Sequence, residues 1–134
     1  GKGVLILVPE ISLTPQTMAR FKSRFADMPG AVAILHSAMS DGERFDEWHA
    51  IHRGQARIAI GPRSAVFAPV QNLGLIIVDE EHEGTYISEF TPKYNAIEIA
   101  KFRARQFDCV TLLASATPLV ESTFRAFLFL SYSF

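Results

Sequence analysis

Asp79-Glu80-Glu81-His82 sets three carboxyl groups and one imidazole side by side, directly after the apolar run Leu73-Gly74-Leu75-Ile76-Ile77-Val78. Such a run reads as a strand buried on both faces, and it stops abruptly at the acids. In open α/β sheets the carboxyl ends of the strands face the ligand crevice, so Asp79 and Glu80 are expected where a bound phosphate and its metal can be met. The competing reading is a solvated loop whose acids merely follow a core strand.

The elements that must position these acids can be followed along the chain. Val4 to Val8 is a continuously apolar run closed by Pro9, the first predicted strand. Thr14 before Pro15 pairs an N-cap residue with a first-turn proline, and Met18, Phe21 and Phe25 follow at helical spacing. After Pro29-Gly30, Ala31 to Leu35 predicts a second strand with His36-Ser37 at its carboxyl end. Ser40 and Glu43 match a capping box, Phe45, Trp48 and His52 share a helix face, and Gly54 ends that helix. Arg57 to Ile60 gives a third strand, ending in Gly61-Pro62-Arg63-Ser64, and the run ending at Val78 is the fourth. Ala96, Ile99, Ala100, Arg103, Ala104 and Phe107 line one face of a further helix. Val110 to Leu113 is the fifth strand, Ser115-Ala116-Thr117-Pro118 follows it, and Val120 to Phe127 is expected to start another helix. This alternation predicts an α/β fold, a parallel sheet covered by helices on both faces and joined by right-handed crossovers.

Composition narrows the function classes. A chain of 134 residues with 49% hydrophobic content can bury one core and is not disordered. Thirteen basic against fourteen acidic residues leave a formal charge of -1, so any nucleic-acid contact must be local rather than driven by a global basic field. Cys109 is the single cysteine, which excludes an internal disulfide or cysteine-cluster zinc site and fits a reducing cytoplasm. No apolar run approaches the ~20 residues of a membrane span, and the start lacks the features of a signal peptide. The tail over 127–134 is too short to span a bilayer and too apolar for a free terminus, so it is expected to be a truncated element or an unrelated end.

Four strand-end segments, in order and spacing, resemble the first motor domain of second-superfamily helicases, most closely the bacterial replication-restart helicases. They are Leu7-Val8-Pro9-Glu10-Ile11-Ser12-Leu13-Thr14-Pro15-Gln16, Leu35-His36-Ser37 with Ser40-Asp41-Gly42-Glu43-Arg44, Asp79-Glu80-Glu81-His82, and Ser115-Ala116-Thr117-Pro118. The resemblance covers residues 1–126 and implies part of a RecA-like P-loop NTPase motor domain. Phosphoryl transfer to water needs a metal bridging the β- and γ-phosphates and a group that orients the attacking water. Asp79 matches the acid that holds magnesium with ATP, and Glu80 the carboxylate that polarises the water. His82 and the segment Ser115, Ala116, Thr117 match residues that couple the nucleotide state to the partner domain and DNA. His82 could instead be a neutral histidine satisfied by backbone, and Ser115 and Thr117 local turn bonders.

Tyr86, Phe90 and Tyr94, with Lys93 beside them, resemble the aromatic-rich loop by which some DNA helicases sense single-stranded DNA next to the ATP site. Rings there offer stacking worth ~1–3 kcal/mol per base, independent of sequence. The same rings could simply pack the loop against the body. Thr14, Gln16, Arg63 and Ser64 match positions that touch the nucleic-acid backbone, Thr14 having a capping role besides.

Three positions depart from the family pattern. Pro62 stands where a threonine is usual, and Ile87 and Ile97 where basic residues are common, which weakens phosphate contacts near the aromatic loop. No G-x-x-x-x-G-K-[ST] occurs, and Gly1-Lys2 precedes the first strand and cannot be that phosphate cradle. The resemblance places the cradle upstream, and the second motor domain and zinc-binding cysteines downstream, so the chain is expected to be part of an enzyme and inactive by itself. The implied whole is an ATP-driven 3′-to-5′ DNA helicase acting at stalled or repaired forks, at junctions of single-stranded and duplex DNA, with primosome and single-strand-binding proteins as partners. Two alternatives stay open: another double-stranded DNA translocase of the same superfamily, and a degenerate, non-hydrolytic DNA or protein interaction module.

Overall fold

The structure is a computed structural model and describes residues 1–80, 84–116 and 126–131. In chain order its elements are β1 (Gly3–Leu7), α1 (Pro15–Arg24), β2 (Val32–Ile34), α2 (Asp41–His52), β3 (Ile58–Gly61), a 3-10 helix (Arg63–Phe67), β4 (Leu73–Val78), the short strands β5 (Ile87–Ser88) and β6 (Tyr94–Asn95), α3 (Ala96–Gln106), β7 (Val110–Ala116) and β8 (Ala126–Ser131). The main sheet runs β2-β3-β1-β4-β7-β8, while β5 and β6 pair antiparallel on their own. β2, β3, β1, β4 and β7 are mutually parallel, as the alternation of elements predicts.

Local chemistry explains the helix starts. The Thr14 hydroxyl accepts from the Thr17 N–H at 3.2 Å, and Pro15, which has no N–H to lose, opens α1. The Ser40 hydroxyl accepts from the Glu43 N–H at 3.2 Å and the Glu43 carboxylate accepts from the Ser40 N–H at 3.4 Å, completing the capping box of α2. Gly54, at φ +75°, then takes the left-handed conformation beyond the end of that helix.

Both sheet faces carry helices. On one, Leu5, Leu7, Ala59, Ile76 and Val78 pack with Ile51 of α2, Ala65 and Val66 of the 3-10 helix, and Ala96, Ala100 and Ala104 of α3. Each fully buried Leu or Ile there contributes about 1.5–3 kcal/mol relative to exposure. On the other face Val8, Ile34 and Ile60 form a smaller core against Leu13 and against Met18 and Phe21 of α1. Among the described residues no helix is long and apolar enough to cross a membrane.

Two expectations change. Ile51 is the buried residue of α2, whereas Phe45 is 63% and Trp48 37% exposed, so the predicted aromatic stripe lies beside the packing face rather than on it. Small and aliphatic side chains at Ala50 and Ile51 let the helix approach the sheet, and the larger rings are left outside. The chain over 126–131 is β8, an antiparallel edge strand paired with β7 from Thr111↔Ser131 to Ala116↔Ala126, so the sheet is not wholly parallel. The helix expected from Val120 falls mostly on residues 117–125, outside the described residues, and its last predicted positions belong to β8.

Candidate functional site

The parallel register brings the strand ends to one edge. Leu7 of β1 pairs with Gly61 of β3 and with Val78 of β4, and Val78 pairs with Leu113 of β7. The residues after these positions therefore share the carboxyl edge: Glu10 after β1, His36 and Ser37 after β2, Arg63 and Ser64 after β3, Asp79 and Glu80 after β4. β7 continues through Ser115 and Ala116 alongside. His82 and Thr117 lie outside the described residues.

Asp79 is held at its backbone, its N–H donating to the Leu7 carbonyl at 2.8 Å. Both acids are half-buried. Glu80 sits at φ +51°, a left-handed conformation that a non-glycine residue keeps only when its surroundings impose it. Tyr86 lies against the preceding peptide. Its ring is 1% exposed, and its hydroxyl faces the Leu7 carbonyl at 3.1 Å and the Asp79 carbonyl.

Asp79 offers a hard oxygen donor at the edge where a nucleotide phosphate is expected. Among the described residues there is no cluster of three or more His, Cys, Asp or Glu able to hold a metal alone. That donor set suits magnesium, which is commonly bound through one or two carboxylates together with substrate phosphates and water rather than in an all-protein cage.

At the same edge a cavity of about 410 Å³ is lined by Glu10 and Ser37, by the turn from Pro62 to Ser64, and by Ser88 and Tyr94. The Glu10 carboxylate accepts from the Ser37 N–H at 3.0 Å, joining the ends of β1 and β2. Gly61 permits the turn to Arg63 and Ser64, because a Cβ there would lie 2.6 Å from the Ala65 Cβ and 3.2 Å from the Leu35 Cβ. Arg63 donates to the Ile87 carbonyl at 3.2 Å, and the Phe67 ring meets Tyr94 edge-on at 5.1 Å. Arg103 reaches from α3 to the Val66 and Ala68 carbonyls, the latter at 2.9 Å. Burial draws this guanidinium below its usual range, against the opposing pull of the nearby Cys109, whose thiol burial pushes up. The 3-10 helix is thus fastened to the loop following the acids at two points and to α3 through Arg103.

The predicted nucleic-acid residues separate by position. Arg63, Ser64 and Tyr94 converge on the cavity, and Lys93 borders a neighbouring hollow with Glu89 and Tyr94. Thr14 and Gln16 are exposed at the start of α1, outside the residues lining that cavity. Phe90 is 80% exposed. Tyr86, expected to stack on bases, is instead a core residue: its ring fills the space over β1 and β4 and its hydroxyl is taken up by backbone, so it presents no face to a base. Pro62 and Ile97 are half-buried, while Ile87 is 51% exposed. Glu10 and Ser37, present in the quoted segments without a role of their own, and Ser88 and Arg103, outside those segments, are further residues that build this region. Position after a parallel strand marks the first two, and Arg103 is the only cation in the predicted inner stripe of α3.

A family model described as DEAD/DEAH box helicase matches residues 1–124. The chain is 53% identical over 126 residues to the Replication restart protein PriA of Bacillus subtilis (strain 168), covering 94% of this chain and 15% of that protein. It is 48% identical over 123 residues to the protein of the same name from Synechocystis sp. (strain ATCC 27184 / PCC 6803 / Kazusa), covering 91% of this chain and 14% of that one. The Chlamydia muridarum (strain MoPn / Nigg) protein of that name is 49% identical over 123 residues, with 91% and 16% covered. The chain therefore spans less than a fifth of each of these relatives.

Proposed function

This chain belongs to the DEAD/DEAH box helicase family, and we infer that it forms part of the first motor domain of an ATP-dependent 3′-to-5′ DNA helicase that reopens stalled or repaired replication forks for replisome reloading. The observation that carries this reading is the junction of two sets of groups at one sheet edge. Asp79 and Glu80 stand at the end of β4, and the loop that follows them is tied both to the Asp79 backbone, through Tyr86, and to the Arg63-Ser64 turn. A machine that couples nucleotide hydrolysis to DNA needs its acids and its DNA-facing loop in contact. Similarity to proteins named for replication restart supports the biological setting, and a cytoplasmic location follows from that proposed role.

In this reading the Asp79 carboxylate holds magnesium and Glu80 accepts the proton of the attacking water. Asp79 would hold magnesium bound with ATP, and the metal would there supply charge neutralisation for phosphoryl transfer. His82 with Ser115, Ala116 and Thr117 relays the nucleotide state. Thr14, Gln16, Arg63, Ser64 and Lys93 take DNA backbone phosphates, positioning the strand without reading its sequence. Phe90 stacks on a base, and Tyr94, half-buried against Phe67, offers an edge of the cavity. Forked DNA is the substrate, and primosome and single-strand-binding proteins are the partners of the whole protein.

The test uses the full-length protein. Glu80→Gln keeps shape and hydrogen bonding but removes the proton acceptor, so turnover falls by about 10²–10⁴-fold while ATP binding persists. Asp79→Asn weakens magnesium-dependent nucleotide binding itself, since a neutral amide is a poor ligand for a hard cation. Parent turnover in both variants would reduce the acids to ordinary surface residues.

A further inference from the structure

Tyr86 carries a group that the base-stacking expectation does not use. Its ring is 1% exposed, yet its hydroxyl ends among backbone rather than in solvent, facing the carbonyl of Leu7 at 3.1 Å and the carbonyl of Asp79. A phenol has one proton to donate, so the two carbonyls share it. The Leu7 carbonyl already accepts from the Asp79 N–H at 2.8 Å. The Asp79 carbonyl belongs to the peptide linking Asp79 to Glu80, and Glu80 is the residue held at φ +51°. The hydroxyl therefore lies against the one peptide plane whose orientation sets the direction in which Glu80 leaves the strand.

We propose that the Tyr86 hydroxyl is a positioning group for the acidic pair: by holding the Asp79 carbonyl it keeps Glu80 in its left-handed conformation and so aims the Glu80 carboxylate for catalysis. The inference rests on the reading of Asp79 and Glu80 as the hydrolytic acids. Left-handed backbone at a glutamate is unfavourable without an external constraint. Free of the hydroxyl, the 79–80 peptide can rotate and Glu80 can relax, which misplaces its carboxylate without removing it. Tyr86 also belongs to the same loop as Phe90. Ser88 between them is 7% exposed and donates to the Phe90 carbonyl at 3.2 Å, and Tyr86 ties the loop that carries the exposed ring to the Asp79 backbone.

Tyr86→Phe in the full-length protein removes the oxygen and keeps the ring. With single-stranded DNA present and well below the melting temperature, kcat for ATP falls about tenfold while KM for ATP stays within about twofold, as expected for a misaimed group rather than a lost binding contact. The melting temperature falls by no more than a few degrees. Glu80→Gln is measured alongside. Parent kcat in Tyr86→Phe with Glu80→Gln inactive overturns the positioning role and leaves the acids in place. Parent kcat in Glu80→Gln overturns the underlying reading. A large loss of melting temperature in Tyr86→Phe, with kcat of the folded enzyme unchanged, makes the hydroxyl structural only and also overturns the proposal.

Discussion

The loop after the acids divides into two halves that share a sequence character and differ in physical state. In residues 84–88 the chain is anchored: Tyr86 is 1% exposed, Ser88 is 7% exposed, and the Ile87 carbonyl accepts from Arg63. In residues 89–93 it is open, with Phe90 80% exposed and Glu89, Thr91, Pro92 and Lys93 all at the surface. Two aromatic rings in one loop therefore serve different ends. A buried ring contributes area and a directed hydroxyl to the acid-bearing strand, whereas an exposed ring contributes nothing to the core and is free to meet a base. An aromatic-rich loop need not act as a unit. One ring is fixed at the root of the loop and another stands open to solvent.

That contrast is broken most strongly by truncating the anchored ring. Tyr86→Ala removes a fully buried side chain and leaves a cavity over β1 and β4, at a cost of about 3–5 kcal/mol. Thermal or denaturant unfolding of the full-length protein checks this. A change within about 0.5 kcal/mol, the range of ordinary surface substitutions, would mean that the ring is not core.

A smaller effect sharpens the other fastening point. Gly61→Ala forces a Cβ to within 2.6 Å of the Ala65 Cβ, so the Arg63-Ser64 turn must shift outward. Overpacking of this kind costs about 1–3 kcal/mol. Because Arg63 also holds the Ile87 carbonyl, single-stranded DNA affinity drops together with stability, as a fluorescence anisotropy titration would register. Unaltered affinity in a destabilised Gly61→Ala protein would separate the turn from the DNA-facing surface.

Much of this arrangement is legible in the sequence, and the parts that are not have a common cause. The caps of α1 and α2 are local chemistry, so Thr14-Pro15 and Ser40 with Glu43 announce them without reference to the rest of the chain. The end of β4 at Asp79 is equally local, an apolar run meeting acids. The burial of Tyr86 is not local, because its hydroxyl acceptor on Leu7 lies 79 residues away along the chain. Likewise the packing face of α2 depends on what the sheet offers it, and a helical stripe at Phe45 and Trp48 loses to the neighbouring stripe at Ile51. Arg103 fastens to carbonyls that only the 3-10 helix presents. Strand β8 pairs by long-range contact with β7, and nothing in the composition of its six residues distinguishes an edge strand from an apolar tail.

The exposed half carries the smallest effect on the fold and the most direct test of the account. Phe90→Ala in the full-length protein removes a ring that packs on nothing substantial, so the melting temperature stays at the parent value. If the ring stacks on a base, losing about 1–3 kcal/mol of that contact lowers the DNA-stimulated ATPase several-fold at limiting single-stranded DNA. The rate without DNA stays close to the parent rate. The measurement is therefore one ATPase assay of Phe90→Ala with and without single-stranded DNA, read beside its melting temperature. Selective loss of the DNA-stimulated rate at unchanged stability is the predicted result. Equal loss of both rates with a lowered melting temperature would contradict the account, making the open half of the loop part of the packing and leaving the acids without a DNA-facing partner.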